Sequence, residues 1–457
     1  MAKLNWLDIR KSGNIWHKNA LIPILISLPV TVLAVFVPLQ RLGYRSLSPE
    51  ECQVKKWDVP VSLRPKTPLP QSKSQSKPQS KPQTTATKDS KIAPVLVPRT
   101  PVSCCPGDVS CMDGAIFDGI NNQPADRKAL LTSLDRSLGY LQTERASLEY
   151  KGYPIPGITR ERVIKSLQRF RQLLLNTKST KELHTAIQKE FVLYQSIGSN
   201  GQGRVLFTAY FEPIYTASRV RTAEFRYPIY KLPPDLESWP RPHPKRIDLE
   251  GADGLQGSKG QLKGLEFFWF RDRLEPYMMQ IQGSSQLQLT DGSKTTVGYA
   301  GAIRQDYKSI GKELINDGKI PKVGSTMPDI LNHFKKYPQD LNIYIPRDPS
   351  FVFFREKHGE PAHGSIGVPV TADRSIATDK DLMPPGALAF IRAPFPLVNS
   401  KGEMEHNTIS RFVLDQDAGG AIKGPSRVDY FVGTGKIAGE RAGATVAVGQ
   451  LYYLLLK

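Results

Sequence analysis

The chain has 457 residues, enough for two or three domains. Its hydrophobic share of 39% is low for a fully packed chain, so part of it is expected to lie outside any core. The net charge of +19 raises nucleic-acid binding, but Arg64, Lys66, Lys73, Lys77, Lys81, Lys88, Lys91 and Arg99 cluster with a single acid, Asp89, in a Pro/Ser/Gln/Thr stretch that cannot pack. That cluster reads as an extended tether suited to an anionic envelope polymer or lipid surface, or as simple solubility, and no nucleic-acid partner is expected.

Residues 1–19 are basic, with Lys3, Arg10, Lys11 and Lys18. Residues 20–38, ALIPILISLPVTVLAVFVP, carry no charge and are long enough to cross a bilayer as a helix. The flanking cations predict a cytoplasmic N-terminus, with everything after Pro38 exported. A cleaved signal peptide is the alternative, although no small-residue cleavage site follows. Residues 39–120 read as a disordered Pro/Ser/Lys-rich linker holding Cys52, Cys104, Cys105 and Cys111. In an exported chain these suggest one or two disulfides; Cys104 and Cys105 are too strained a pair to bond with each other.

Three amphipathic helices follow. Asp126 caps the first, with a stripe of Leu130, Leu134, Leu138 and Leu141. Thr159 caps the second, with Val163, Leu167, Phe170 and Leu174. Thr180 caps the third, with Leu183, Ile187, Phe191 and Tyr194. From Val205 onward, short β-branched and aromatic runs alternate with Gly, Pro and Asp turns, the texture of β-barrels. FFWFRDRLEPYMMQIQGSS and NIYIP are read within those β runs. Short helices are expected at 307–318 and 327–338. No long crossover helices are visible, which argues against a doubly wound parallel sheet.

There is no GxSxG elbow, no HExxH and no P-loop. His358 and His363 sit on a Gly/Pro-rich loop and read as incidental; no metal or cofactor is expected. That leaves carboxylates. Asp379, Asp417 and Asp429 stand at strand ends beside glycine turns, and Asp415, two residues before Asp417, is expected on the same face. A carboxyl in such a cleft can be held protonated by apolar neighbours and a second carboxylate, and can then donate to a glycosidic oxygen. Tyr430 and Phe431 would form a stacking wall. Structural capping of turns is the competing role for these aspartates.

The blocks DAGGAIKG and VDYFVGTG resemble the three-aspartate domain of the membrane-bound lytic murein transglycosylase A family. AYFEP (209–213), IQGS (281–284), VGYAG (297–301), YKSIG (307–311), DPSFVFFR (348–355), GVPVTADRSIATD (367–379) and AGERAGATVAVGQLYYLLL (438–456) follow in the family's order. The resemblance spans roughly 125–457. It implies a mainly β fold with a few helices: a double-psi β-barrel formed by 121–213 and 342–457, with a second β-barrel inserted at 214–341. A peptidoglycan strand would lie between them. The implied reaction cuts the β-1,4 bond between N-acetylmuramic acid and N-acetylglucosamine without water, leaving a 1,6-anhydromuramoyl end. By motif match, Asp429 is the single acid/base, Asp417 its partner and Asp379 the third, more structural aspartate. Lys423, Gly419 and Gly420 would hold sugar substituents, and Tyr210, Glu212, Gln282 and Tyr299 would line the groove.

The chain departs from the family's lipoprotein pattern, since its first cysteine is Cys52, and Ala209 and Ser285 stand where Gly is common. The expected location is therefore a single-pass inner-membrane anchor with the catalytic part in the periplasm. Expected partners are peptidoglycan strands and the membrane, with room for cell-wall synthesis or division proteins. A non-catalytic peptidoglycan-binding module, and a hydrolase using Asp417 and Asp429 together, are the alternatives.

Overall fold

The computed structural model describes residues 94–99, 112–119, 124–322 and 326–457. The apolar run at 20–38, most of the linker and all four cysteines lie outside the described residues. Among the described residues no helix is long and apolar enough to cross a membrane.

In chain order the first elements are β1 (Leu96–Arg99), α1 (Arg127–Leu141), α2 (Glu144–Lys151), α3 (Arg160–Asn176), α4 (Thr180–Glu190), β2 (Phe191–Ser196) and β3 (Val205–Glu212). A middle group follows: β4 (Ile214–Ala217), β5 (Tyr227–Tyr230), α5 (Arg246–Glu250), β6 (Glu266–Phe270), α6 (Leu274–Gln282), β7 (Ser284–Leu289), β8 (Lys294–Ala302), α7 (Ile310–Asn316), α8 (Met327–Lys336), α9 (Leu341–Tyr344) and β9 (Val352–Glu356). The last are β10 (Ser375–Ala377), β11 (Leu388–Val398), β12 (Met404–Asp417), β13 (Arg427–Thr434), α10 (Gly435–Ala444) and β14 (Val446–Leu456).

Six strands close into a barrel in the order β14-β11-β12-β10-β13-β3, with β3 returning to β14. The sheet continues beyond β14 through β2 to β1. The middle group is inserted between β3 and β10. There β4-β7-β8-β9 form one sheet and β5-β6 another. Single bridges join them, Ser218 to Trp269 and Lys231 to Phe354. Because β9 pairs with β8, this second region extends beyond residue 341, the bound expected from sequence.

The helical stripes behave as expected. Leu130, Leu134 and Leu141 of α1, and Val163, Leu167, Phe170 and Leu174 of α3, are buried against the barrel strands in one core. The Thr159 hydroxyl accepts the Arg162 amide at 3.2 Å, capping α3. The cap of α4 is Ser179, one residue before Thr180. Phe191 and Tyr194 leave the helix and enter β2. The C-terminal strand β14 offers FVLYQS a ladder from Phe191↔Leu456 to Gln195↔Tyr452, and its β-branched and aromatic residues suit a sheet better than a helix end. LEPYMMQIQ, read as β, forms α6, closed by Gly283 in the left-handed conformation (φ 81°) with its amide on the Met279 carbonyl. NIYIP is helical as well, from α9 onward.

Asp126 does not cap α1 with its side chain. It pairs with Arg374, which also binds Asp113. Asp113 further accepts the Phe412 amide at 2.8 Å and faces Arg411 at 3.3 Å. Arg374 and Asp113 are almost fully buried, where an unpaired charge would be costly, so the network holds together only as a unit. Residues 96–99 and 112–119 therefore belong to the body of the barrel, although their setting in a polar, Pro-rich stretch placed them in the linker. The expected 39–120 linker is corrected to that extent.

Candidate active site

β10 is short and runs between β12 and β13. Ala377 pairs with Asp417 on one side and with Asp429 on the other. Asp429 in turn pairs with Thr208 of β3, and Thr208 with Val446 of β14. One register row thus reads Asp417, Ala377, Asp429, Thr208, Val446, with side chains on one face. Neighbouring strands are spaced at about 4.8 Å, so the Cα atoms of the two aspartates stand roughly 10 Å apart across a methyl group.

A bulge makes this row. The β10–β12 register slips between Ile376 and Ala377, so Asp415 pairs with Ile376 and Asp417 with the very next residue, Ala377. Asp415 and Asp417 therefore do not share a face, contrary to strict strand alternation. Asp415 is fully buried, accepting Thr378 Oγ1 at 2.7 Å and Tyr453 Oη at 2.6 Å beside Lys380. Asp417 emerges partly exposed.

The two outward acids are held differently. Asp417 Oδ2 accepts the Tyr210 hydroxyl at 2.7 Å, and its Oδ1 accepts the Ser365 and Ala418 amides, each at 2.8 Å. Burial raises its pKa, and these donors, with Lys380, oppose the rise. The Ser365 amide reaches it because Gly364 lies against β12: a Cβ there would sit 2.3 Å from the Gln416 carbonyl oxygen. Asp429 Oδ1 accepts one hydroxyl, Thr208 Oγ1, at 2.6 Å. Burial pushes its pKa up to about 6, the charge of Asp417 adds to the rise, and Thr208 and Arg427 pull it down. Thr208 was not singled out in the sequence, although strand alternation places it on the face of Tyr210 and Glu212; nor was Ser365, for which sequence carries no signal.

A cavity of about 440 Å³ opens between the barrel and the inserted region. Tyr210, Asp417, Gly419 and Gly420 line it from the barrel, and Gln282 and Tyr299 from the insert. Asp429 is not part of that wall; it lies two strands over from Asp417 in the same register row. Tyr299 is 53% exposed, an aromatic face turned to the groove. The Gln282 side-chain oxygen accepts the Phe211 amide at 3.0 Å, which fixes its amide group at the wall. Gly419 and Gly420 line the cavity beside Asp417, and a Cβ at Gly419 would sit 3.0 Å from Ile422 Cγ1.

The other expected residues fall elsewhere. Glu212 is 2% exposed in the joint between the regions, accepting Gln286 of β7 at 3.0 Å and Thr434 of β13 at 2.9 Å. Asp379 is buried and accepts the Gly424 amide at 2.8 Å, so it pins the end of the glycine turn where Gly424 adopts φ 78°. Lys423 is exposed, 4.0 Å from Asp379, and does not line the cavity. Tyr430 and Phe431 form no stacking wall: Tyr430 is fully buried with its hydroxyl on the Asp373 carbonyl, and Phe431 packs on Tyr210. Ser285, in place of a glycine, donates its hydroxyl to the Pro213 carbonyl at 3.0 Å and ties β7 to the chain entering the insert.

Two family models match the chain: the MltA specific insert domain over residues 206–355 and the 3D domain over 374–455. The membrane-bound lytic murein transglycosylase A of Escherichia coli K12 is 31% identical over 263 residues, covering 57% of this chain and 68% of that protein. The crystal structure of a membrane-bound lytic murein transglycosylase from Agrobacterium tumefaciens superposes with a TM-score of 0.58 at 24% identity, covering 72% of this chain and 93% of that one. The structure of E. coli MltA with bound chitohexaose superposes with a TM-score of 0.56 at 25% identity, covering 71% and 90%.

Proposed function

The chain belongs to the membrane-bound lytic murein transglycosylase A family and is a lytic murein transglycosylase, and on that premise we propose that Asp429 alone carries both proton transfers of its reaction. In the first step the Asp429 carboxyl gives its proton to the oxygen linking N-acetylmuramic acid to N-acetylglucosamine. The C1–O bond breaks and the N-acetylglucosamine side leaves as an alcohol. In the second step the Asp429 carboxylate takes the proton of the muramoyl C6 hydroxyl as O6 bonds to C1. The product is a 1,6-anhydromuramoyl end, and Asp429 is again protonated.

The observation that carries this reading is the contrast in donors around the two acids. A group that must give and take a proton needs a pKa near the working pH and a free oxygen. Asp429 has both: a value of about 6 and one hydroxyl partner. Asp417 is occupied by Tyr210, Ser365 and Ala418, which suits holding the turn and raising its neighbour's pKa rather than activating a water.

The glycan strand is assigned to the cavity, with Tyr299, Tyr210, Gln282 and the Gly419–Gly420 backbone as its walls. That E. coli MltA binds chitohexaose, a sugar oligomer, favours the same groove. The six-stranded barrel is read as the double-psi barrel and the bridged sheets of the insert as the second barrel. The run at 20–38 is assigned as an anchor that keeps the catalytic part in the periplasm, in keeping with relatives named membrane-bound.

The test is digestion of purified peptidoglycan by the full chain and by its Asp429→Asn variant, with released muropeptides read by mass spectrometry. Anhydro ends from the first and none from the second are expected. Reducing ends would instead mean hydrolysis and make Asp417 a second essential carboxylate. Protease accessibility of the folded part in spheroplasts checks its location.

A further inference from the structure

Arg427 opens β13 two residues before Asp429. The two share a face and stand about 6.6 Å apart along the strand. Arg427 Nη2 donates to Thr208 Oγ1 at 3.1 Å, the same hydroxyl that donates to Asp429. Its Nε is buried with no hydrogen-bond partner, and among the described residues the guanidinium makes no ion pair. Partly buried Arg127 and Arg136, which likewise make no ion pair among the described residues, spend their guanidinium groups on backbone carbonyls, whereas the fully buried arginines each meet an acid. Arg374 and Arg411 sit on Asp113, Arg441 on Asp373, and Arg246 and Arg273 on Glu250. A half-buried guanidinium without a counter-ion is costly unless something else supplies one. Here the vacancy lies beside the acid assigned to bond cleavage.

The muramoyl ring whose C1 sits at Asp429 carries its 3-O-lactyl group a few ångströms across the same ring. That places the lactyl group within reach of a side chain one strand repeat away. A guanidinium binds a carboxylate more strongly than it binds the neutral carbonyl of an amide. We propose that Arg427 recognises the free lactyl carboxylate of the muramoyl residue being cut, so that the enzyme favours peptide-free glycan strands. The assignment rests on the transglycosylase reading of Asp429. It implies that an amide-cleaving reaction, which removes the peptide and frees that carboxylate, supplies the preferred substrate.

The test compares three substrates for the full chain: peptide-free strands, the same strands with lactyl carboxylates converted to methylamides, and peptide-bearing strands. The readout is kcat/KM for anhydro-end release. The wild type is expected to favour the free carboxylate over the methylamide by roughly tenfold to a hundredfold, the range of one charged hydrogen bond. Arg427→Ala should erase that preference and Arg427→Lys should keep part of it. Arg427→Gln replaces the alanine variant where the latter melts lower than wild type. Equal slowing of all three substrates by Arg427→Ala would mean that Arg427 acts only through Thr208, and would overturn the proposal. So would a wild type that does not discriminate, or a loss confined to peptide-bearing strands, which would put the carboxylate on the peptide. Binding of the peptide-free and methylamide strands to Asp429→Asn, with and without Arg427→Ala, decides the question without cleavage. If no anhydro ends form from any substrate, the reading of Asp429 fails, and this binding arm still tells whether Arg427 reads the carboxylate.

Discussion

The end of β12 and the start of β13 present the same chemical group, a strand-borne aspartate, on either side of Ala377. At the end of β12, Asp415 and Asp417 are each met by three donors. On β13, Asp429 is met by one. The first arrangement uses carboxylates to hold strands and turns together. The second leaves an acid desolvated and short of partners, which raises its pKa into the range of proton transfer. Proximity to the cavity does not single out Asp429, since Asp417 lines it and Asp429 does not. The donor count does.

The sharpest way to break this contrast is to exchange the consequences. Asp429→Asn should reduce release of anhydro ends by about a thousandfold or more, near the upper range for loss of a general acid, while the fold persists because Asn still accepts from Thr208. Asp417→Ala should act through structure as well. It strands the Tyr210 hydroxyl and two amides, so a loss of about 2 kcal/mol in urea unfolding is expected, with activity down about a hundredfold. If Asp417→Ala left stability unchanged, its role as a turn-holder would be wrong.

The pH dependence separates the two acids further. On the proposed mechanism Asp429 starts the reaction protonated, so kcat/KM should fall about tenfold per pH unit above about 6. Stability shifts in the same direction. With its pKa raised from 3.8 to about 6, Asp429 holds its proton in the folded state where the unfolded chain has lost it. Its contribution to stability is fully present below pH 3.8 and is lost as pH rises through about 6. Asp429→Asn has no charge to bury, so it should melt higher than wild type at pH 7, and the gap should close in thermal scans below pH 4. The smallest effect is expected at the cavity wall. Tyr299→Ala should raise KM about fivefold, the worth of roughly 1 kcal/mol of aromatic contact, and leave the melting temperature in place.

Much of this was legible in the chain. The stripes of α1 and α3 are set by residues three and four apart, a local rule, and both helices form as read. The aspartates and glycines of the last hundred residues were visible as a cluster because turn chemistry is also local. What failed did so where a distant partner decides. FVLYQS continues the pattern of α4 but pairs with β14, more than 250 residues away. Asp126 looks like a cap until Arg374 is folded against it. Tyr430 and Phe431 look like a sugar platform until the barrel closes over them.

The sequence by itself determined the family, the mainly β architecture interrupted by an insert, and the aspartates and glycines on which a carboxylate mechanism turns. These follow from residue type, spacing and order along the chain. Only the tertiary structure decided how differently the two aspartates are held. A one-residue bulge in β12 keeps Asp415 inside and brings Asp417 out, and closure of β3 against β13 sets Thr208 and Arg427 beside Asp429. Burial, register and the number of donors around a carboxyl are properties of several strands at once, and no single stretch of sequence carries them.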